Sequence, residues 1–101
     1  MPRRLKAARL SVDGLSQKGL GVMAGMDAFV ASARINQYEQ GVHTPNYQTV
    51  SLLAKALNVP TAYFYAEQED LAEVILGYSV LSKRKRAATH AYIFRTSSKN
   101  K

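Results

Sequence analysis

Three carboxamides fall close together at Asn36, Gln37 and Gln40, and each offers a hydrogen-bond donor beside an acceptor. On a helical wheel of about 100° per residue, the face opposite Ile35 and Tyr38 carries Ala33, Asn36, Gln37 and Gln40. Side chains of this kind can bond a base edge such as adenine in two places, and a small apolar one such as Ala33 can lie against a thymine methyl. Ser32 flanks that face on one side and Arg34 on the other.

Other chemistry is sparse. The chain has no cysteine and two histidines, His43 and His90. A disulfide framework and a thiolate site are therefore excluded, and no metal is expected. No nucleophile stands beside a credible base, no carboxylates pair by a pattern, and no glycine loop has phosphate-cradling spacing. The expectation is a protein that is not an enzyme, with no cofactor and no evident small-molecule substrate.

Charge narrows the partner. The 101 residues carry a net charge of +7, with 47% hydrophobic residues, which describes one basic domain with enough apolar surface for a core. Glu67, Glu69, Asp70 and Glu73 fall in a segment without cations, where they suit a helix N-terminus. Beyond it Lys83, Arg84, Lys85, Arg86, Arg95, Lys99 and Lys101 follow without an acid. This tail either holds phosphates or is a solvated end. No stretch approaches the roughly 18 apolar residues of a membrane span, so the chain reads as cytoplasmic, without a membrane, and with an anionic partner.

The elements that must position these residues are helices, because spacing of three and four dominates and alternation is almost absent. The first is expected from Pro2 to Val12, with Leu5, Ala8 and Val12 on one face. Ser16 caps a second, Gln17 to about Ala24, stopped by Gly25, and Asp27 suits the cap of a third that runs to Glu39 and stops at Gln40-Gly41. Asn46 caps a fourth whose Val50, Leu53, Ala54 and Leu57 form a buried face. Thr61 opens a single turn, Ala62 to Tyr65. Leu71, Val74, Ile75, Tyr78 and Leu81 then line one side of a longer helix, with Leu76 and Val80 off that stripe. This helix either completes the monomer's core or is a dimer element. Beyond Arg84 no periodicity persists, and Ala91 to Phe94 is an apolar island in a polar tail. The chain divides into residues 1–66, a helix at 67–83, and a basic tail at 84–101 that is a candidate for disorder.

Residues 15 to 41 have the internal logic of two helices joined by a tight turn. Leu20 and Ala24 pack inward, Gly21 permits close helix approach, Gly25 makes the turn and Met26 plugs it, while Ile35 and Tyr38 anchor the next helix. Met23, Met26, Tyr63, Phe64 and Tyr65 read as core, and Tyr47 could be core or surface.

With Arg9, Gly14-Leu15-Ser16-Gln17, Ile35 to Gly41, Pro45 and Leu52 to Pro60, the chain resembles the phage-repressor-like (Cro-like, Xre) helix-turn-helix regulators over about residues 3 to 65. The resemblance implies an all-α, compact five-helix lambda-repressor-like DNA-binding domain, here followed by an additional C-terminal helix and the basic tail. It implies a transcriptional regulator, in the main a repressor, that binds near-palindromic double-stranded DNA as a homodimer. It places Ser32 and Ala33 where family members often read bases, beside the Asn36 and Gln37 that the wheel turns to the same face, and it implies a phosphate contact at Gln17. Lys18, Arg34, Gln40 and His43, with Asn46, are further phosphate candidates on adjoining edges. Arg9 and Glu39 match positions that form a structural ion pair.

Asp27 to Val30 departs from the pattern as an insertion of four residues, which either lengthens the third helix or forms a longer loop before it. Gly19 and Gly21 also weaken the second helix, by up to about 1 kcal/mol each relative to alanine. The competing function on the same scaffold is a protein-interaction module, an antitoxin or adaptor, gripping its partner through Phe29-Val30 or the last helix.

Overall fold

Helix signals written in the sequence become bonds in the structure. The computed structural model describes residues 1–99, and among these it is all-α, with no strand. α1 spans Pro2–Leu10, α2 Gln17–Met23, α3 Ala28–Glu39, α4 Tyr47–Leu57, α5 Thr61–Tyr65, α6 Glu69–Ser79 and α7 Lys83–Lys99. Ser16, Asp27 and Asn46 each accept a backbone amide at the start of α2, α3 and α4, from Gly19, Phe29 and Thr49. These side chains satisfy donors that a helix leaves unpaired at its first turn. α4 ends on Asn58, whose left-handed backbone (φ 56°) lets its own amide and that of Val59 close onto Lys55 and Ala54, the arrangement that terminates helices at a C-cap.

The core gathers one face from each of the first five helices. Leu5, Leu20, Ile35, Val50, Leu53 and Phe64 are fully buried, and the face expected for α4 is buried at all four positions, Val50, Leu53, Ala54 and Leu57. α2 and α3 pack closest at Gly21, where an added Cβ would lie 2.6 Å from that of Ala31. Nothing larger than hydrogen fits there, so the helix-weakening glycine is required by packing.

The structure corrects several expectations. α1 ends at Leu10 and Val12 is exposed, because Asp13-Gly14 turns the chain before another helical turn can form. Thr61 is the first residue of α5, behind Pro60, whose fixed φ suits the position before a helix. Tyr63 and Phe64 are core, but Met23 and Tyr65 are exposed. Tyr65 instead stacks on Tyr47 with centroids 6.4 Å apart.

The largest corrections concern the C-terminal part. α6 buries Ala72 and half-buries Ile75 and Leu76, while Leu71 and Val74 lie about half exposed. Its inward face is therefore shifted toward Ala72 and Leu76, while Ile75, Tyr78 and Leu81 of the expected stripe are half-buried. The small Ala72 belongs to the same cluster as Tyr63, Phe64 and Ala66, and a small residue lets α6 lie close to that filled pocket. The segment read as an aperiodic tail is the 17-residue helix α7, which meets α6 but buries none of residues 83–96 and keeps Tyr92, Ile93 and Phe94 exposed. Its N-terminal turn closes from Arg86 onto the carbonyl of Ser82. Asn100 and Lys101, the end of the expected tail, lie outside the described residues.

Arg4, which belongs to no motif of the sequence, is buried. Its guanidinium donates to the carbonyls of Ala66 and Gln68, stands 3.6 Å from Glu69, and lies over the Tyr63 ring. One arginine thereby ties α1 to the link between α5 and α6, and Arg3 adds an exposed bond to Glu69.

Candidate nucleic-acid interface

Capping and close packing set where α3 lies. Asp27 caps the helix directly, so the inserted residues Asp27 to Val30 lengthen α3 at its start instead of forming a loop. Gly25, at φ 93°, turns the chain, and Met26 returns its amide to Gly21 at 2.9 Å. Ala31 and Ile35 are buried beneath α3. Ser32, Ala33, Arg34, Asn36 and Gln40 are exposed on its outer side, and Gln37 is half-buried at the edge.

A polar node holds this face against α1 and α2. Glu39 is buried at the end of α3 and receives Arg9 at two points, Nε to Oε2 at 2.7 Å and a terminal nitrogen to Oε1 at 3.1 Å. A third Arg9 donor reaches the carbonyl of Leu15 at 3.0 Å. The hydrogen bond to Glu39 raises the Arg9 pKa above its ordinary value against the opposing effect of burial. Such a planar two-point pair fixes orientation as well as distance.

Gln17 joins the same node. Its amide nitrogen donates to Glu39 Oε1 at 3.1 Å and to Asn36 Oδ1 at 3.2 Å. The first residue of α2 is thus bonded directly to the outer face of α3. The Asn36 carbonyl already accepts this bond at the surface, while its pair of amide donors is unengaged. Gln37 differs, because among the described residues its side chain makes no hydrogen bond and keeps donor and acceptor together.

An open groove of about 500 Å³ runs beside Gln37, lined also by Arg34, His43, Thr44, Asn46 and Thr49. Its shape is set locally: the Gln37 carbonyl accepts the amides of Val42 and His43, and Asn46 caps α4. Arg34, Gln37 and His43 are therefore neighbours around one polar depression. Lys18 is exposed on α2 and Gln40 at the end of α3, outside this groove. Among the described residues no group of three His, Cys, Asp or Glu could hold a metal ion, and no helix is long and apolar enough to cross a membrane.

One residue of this face was not singled out as a reader. Phe29 is 98% exposed, in the first turn of α3, four residues before Ala33. Helical spacing carries that signal only once the insertion is known to be helix.

The helix-turn-helix profile matches residues 5–64, from within α1 to within α5. The chain belongs to the Cro/C1-type, Xre-like helix-turn-helix family. This helix-turn-helix protein is also similar to the transcriptional regulator BswR, whose crystal structure superposes with a TM-score of 0.87 at 46% identity. That similarity covers 94% of this chain and 93% of the other, so it reaches past residue 64 into α6 and α7. No functionally curated protein matches the chain. In helix-turn-helix terms α2 and α3 are the paired helices, and the lambda-repressor-like body is extended by the two C-terminal helices.

Proposed function

We propose that this protein is a DNA-binding transcriptional regulator, acting as a repressor, whose α3 enters the major groove. The observation that carries the reading is the outer face of α3, where Ser32, Ala33, Asn36 and Gln37 stand on a helix held rigid by the Arg9, Gln17 and Glu39 node. Family membership and the likeness to a transcriptional regulator support it. In a helix-turn-helix the second helix of the pair presents its N-terminal residues to base edges while the first crosses the backbone.

Each residue then has a task. Gln37 bonds a base edge at two points, with adenine the natural match. Asn36, with its carbonyl engaged by Gln17, donates to an acceptor such as a guanine or thymine oxygen. Ala33 meets a thymine methyl, and Ser32 takes an adjacent edge. Lys18, Arg34, Gln40 and His43 hold phosphates, which position the protein without specifying sequence; Gln17, with both side-chain donors spent on Asn36 and Glu39, offers a phosphate only its backbone amide.

The protein acts as a homodimer on a near-palindromic operator, with two α3 helices roughly 34 Å apart. The surface for self-association is the exposed apolar part of α6 and α7. Leu71 and Val74 are bordered by the acidic Asp70 and Glu73, whereas Tyr92, Ile93 and Phe94 lie on a helix that carries Lys83 to Arg86 and Arg95. Acidic α6 of one copy against basic α7 of another makes a reciprocal contact of the kind a two-fold axis repeats.

Selection of bound fragments from the source genome with purified protein tests the reading. An enriched near-palindromic motif is expected. Affinity for it should fall about 10³- to 10⁵-fold between 50 and 200 mM salt if 6–10 phosphates are held. No enrichment at low salt from a cleanly folded protein would favour a protein-interaction module instead.

A further inference from the structure

Phe29 stands with 98% of its surface exposed, more than any other large apolar residue among those described. Its backbone is nonetheless held. Its amide is bonded to the capping carboxylate of Asp27 at 2.8 Å, and α3 continues unbroken from Ala28. The ring is therefore presented from a rigid turn, and a solvated aromatic ring has much to gain from any apolar cover.

Position says which cover. Residues three and four apart share a helix face, so Phe29 lies in a row with Ser32, Ala33, Asn36 and Gln40. Val22, Met23 and Val30 are also exposed nearby in the sequence, but the row that Phe29 itself shares is otherwise short or polar, and it is the row that a helix-turn-helix turns toward the bases. The only apolar group on the floor of the major groove is the C5 methyl of thymine, and phenylalanine is among the side chains that contact it. The insertion puts this ring one turn ahead of Ala33, at the end of α3 that a helix-turn-helix directs to the bases.

We propose that Phe29 is a specificity-determining residue that packs on a thymine methyl in each half-site, one helical turn beyond the base read by Ala33. This rests on the DNA-binding reading above. The inserted turn then widens the sequence read by α3, and the widened position discriminates by methyl contact without hydrogen bonds.

The test uses the full chain and the duplex recovered by fragment selection, with each thymine replaced in turn by deoxyuridine, which lacks only the methyl. Wild type should lose about fourfold in affinity at one outer thymine per half-site, the worth of a single buried methyl. Phe29→Ala should bind the unmodified duplex roughly tenfold more weakly and no longer respond at that thymine, while Phe29→Leu keeps part of the response. Melting of both variants should match wild type, since the exposed ring supports no packing. Wild-type affinity in Phe29→Ala, or an undiminished response to deoxyuridine, would overturn the proposal. So would a loss of self-association in sedimentation with the DNA response intact, which would assign the ring to a protein contact. Gln37→Ala run in parallel separates the two levels: weakened binding there without an effect at Phe29 removes only this proposal, whereas a wild type that selects no duplex removes the DNA reading as well.

Discussion

Arg9 and Glu39 meet in a two-point ion pair across 30 residues of sequence, at 2.7 and 3.1 Å, with the Glu39 side chain only 1% exposed. The same carboxylate also receives Gln17, so one buried acid locks α1, α2 and α3 together. Glu39→Ala leaves the Arg9 charge mostly buried without its partner, and the expected loss is about 3–5 kcal/mol. Denaturant unfolding measures it, and an unchanged midpoint would count against the pair's structural role. DNA binding should weaken in parallel because Gln17 loses its anchor.

Gly21→Ala tests the approach of α2 to α3. Alanine favours helix by up to about 1 kcal/mol, but its methyl would stand 2.6 Å from the Ala31 Cβ, and overpacking typically costs about 1–3 kcal/mol. The net expectation is a lower melting temperature. Ala31→Gly in the same background should recover part of the loss, and purely additive effects would show that the two positions are not in contact.

Gln37→Ala is expected to weaken operator binding by about 1–3 kcal/mol and to relax specificity at one base pair, with melting unchanged. Lys18→Ala should instead weaken all sequences alike and make the dependence of log affinity on log salt shallower by about one. Titrations at several salt concentrations distinguish the two, and equal loss on operator and random DNA for Gln37→Ala would refute its assignment as a base reader.

Val74→Glu and Phe94→Glu each place a carboxylate on exposed apolar positions of α6 and α7. Both should sediment as monomers with native helicity, and operator affinity should fall while single half-site binding persists. Dimers at the wild-type concentration would exclude this surface, and a monomeric wild type would exclude the homodimer.

Local chemistry was legible wherever it is carried by neighbours in the chain. Ser16, Asp27 and Asn46 cap their helices with bonds spanning two or three residues, and the α4 stripe follows from spacing alone. Arg4 was not legible, because its partners are carbonyls 62 and 64 residues away and an N-terminal arginine looks like any surface cation. Phe29 was legible only in part: the sequence offers Asp27 as a cap but leaves open whether the four residues from Asp27 lengthen the helix or loop before it, and the bond from the Phe29 amide to Asp27 decides for helix.

From residue types and spacing alone come the all-α class, the four capped or glycine-stopped helices of the N-terminal body, the turn at Gly25, and the amide-rich face of α3. These depend on short-range bonds and on a 3.6-residue period that any helix imposes. Only the folded chain decides which side of α6 is buried, that Arg4 goes inside, and that Gln17 ties Asn36 to Glu39. It also decides that α7 is helical with its aromatic residues exposed. A hydrophobic period defines a stripe without naming what covers it, and the pocket behind Ala72 was built by Tyr63, Phe64 and Ala66 from another helix and its C-cap. Burial depends on space left by distant residues, and that space exists only after the helices have packed.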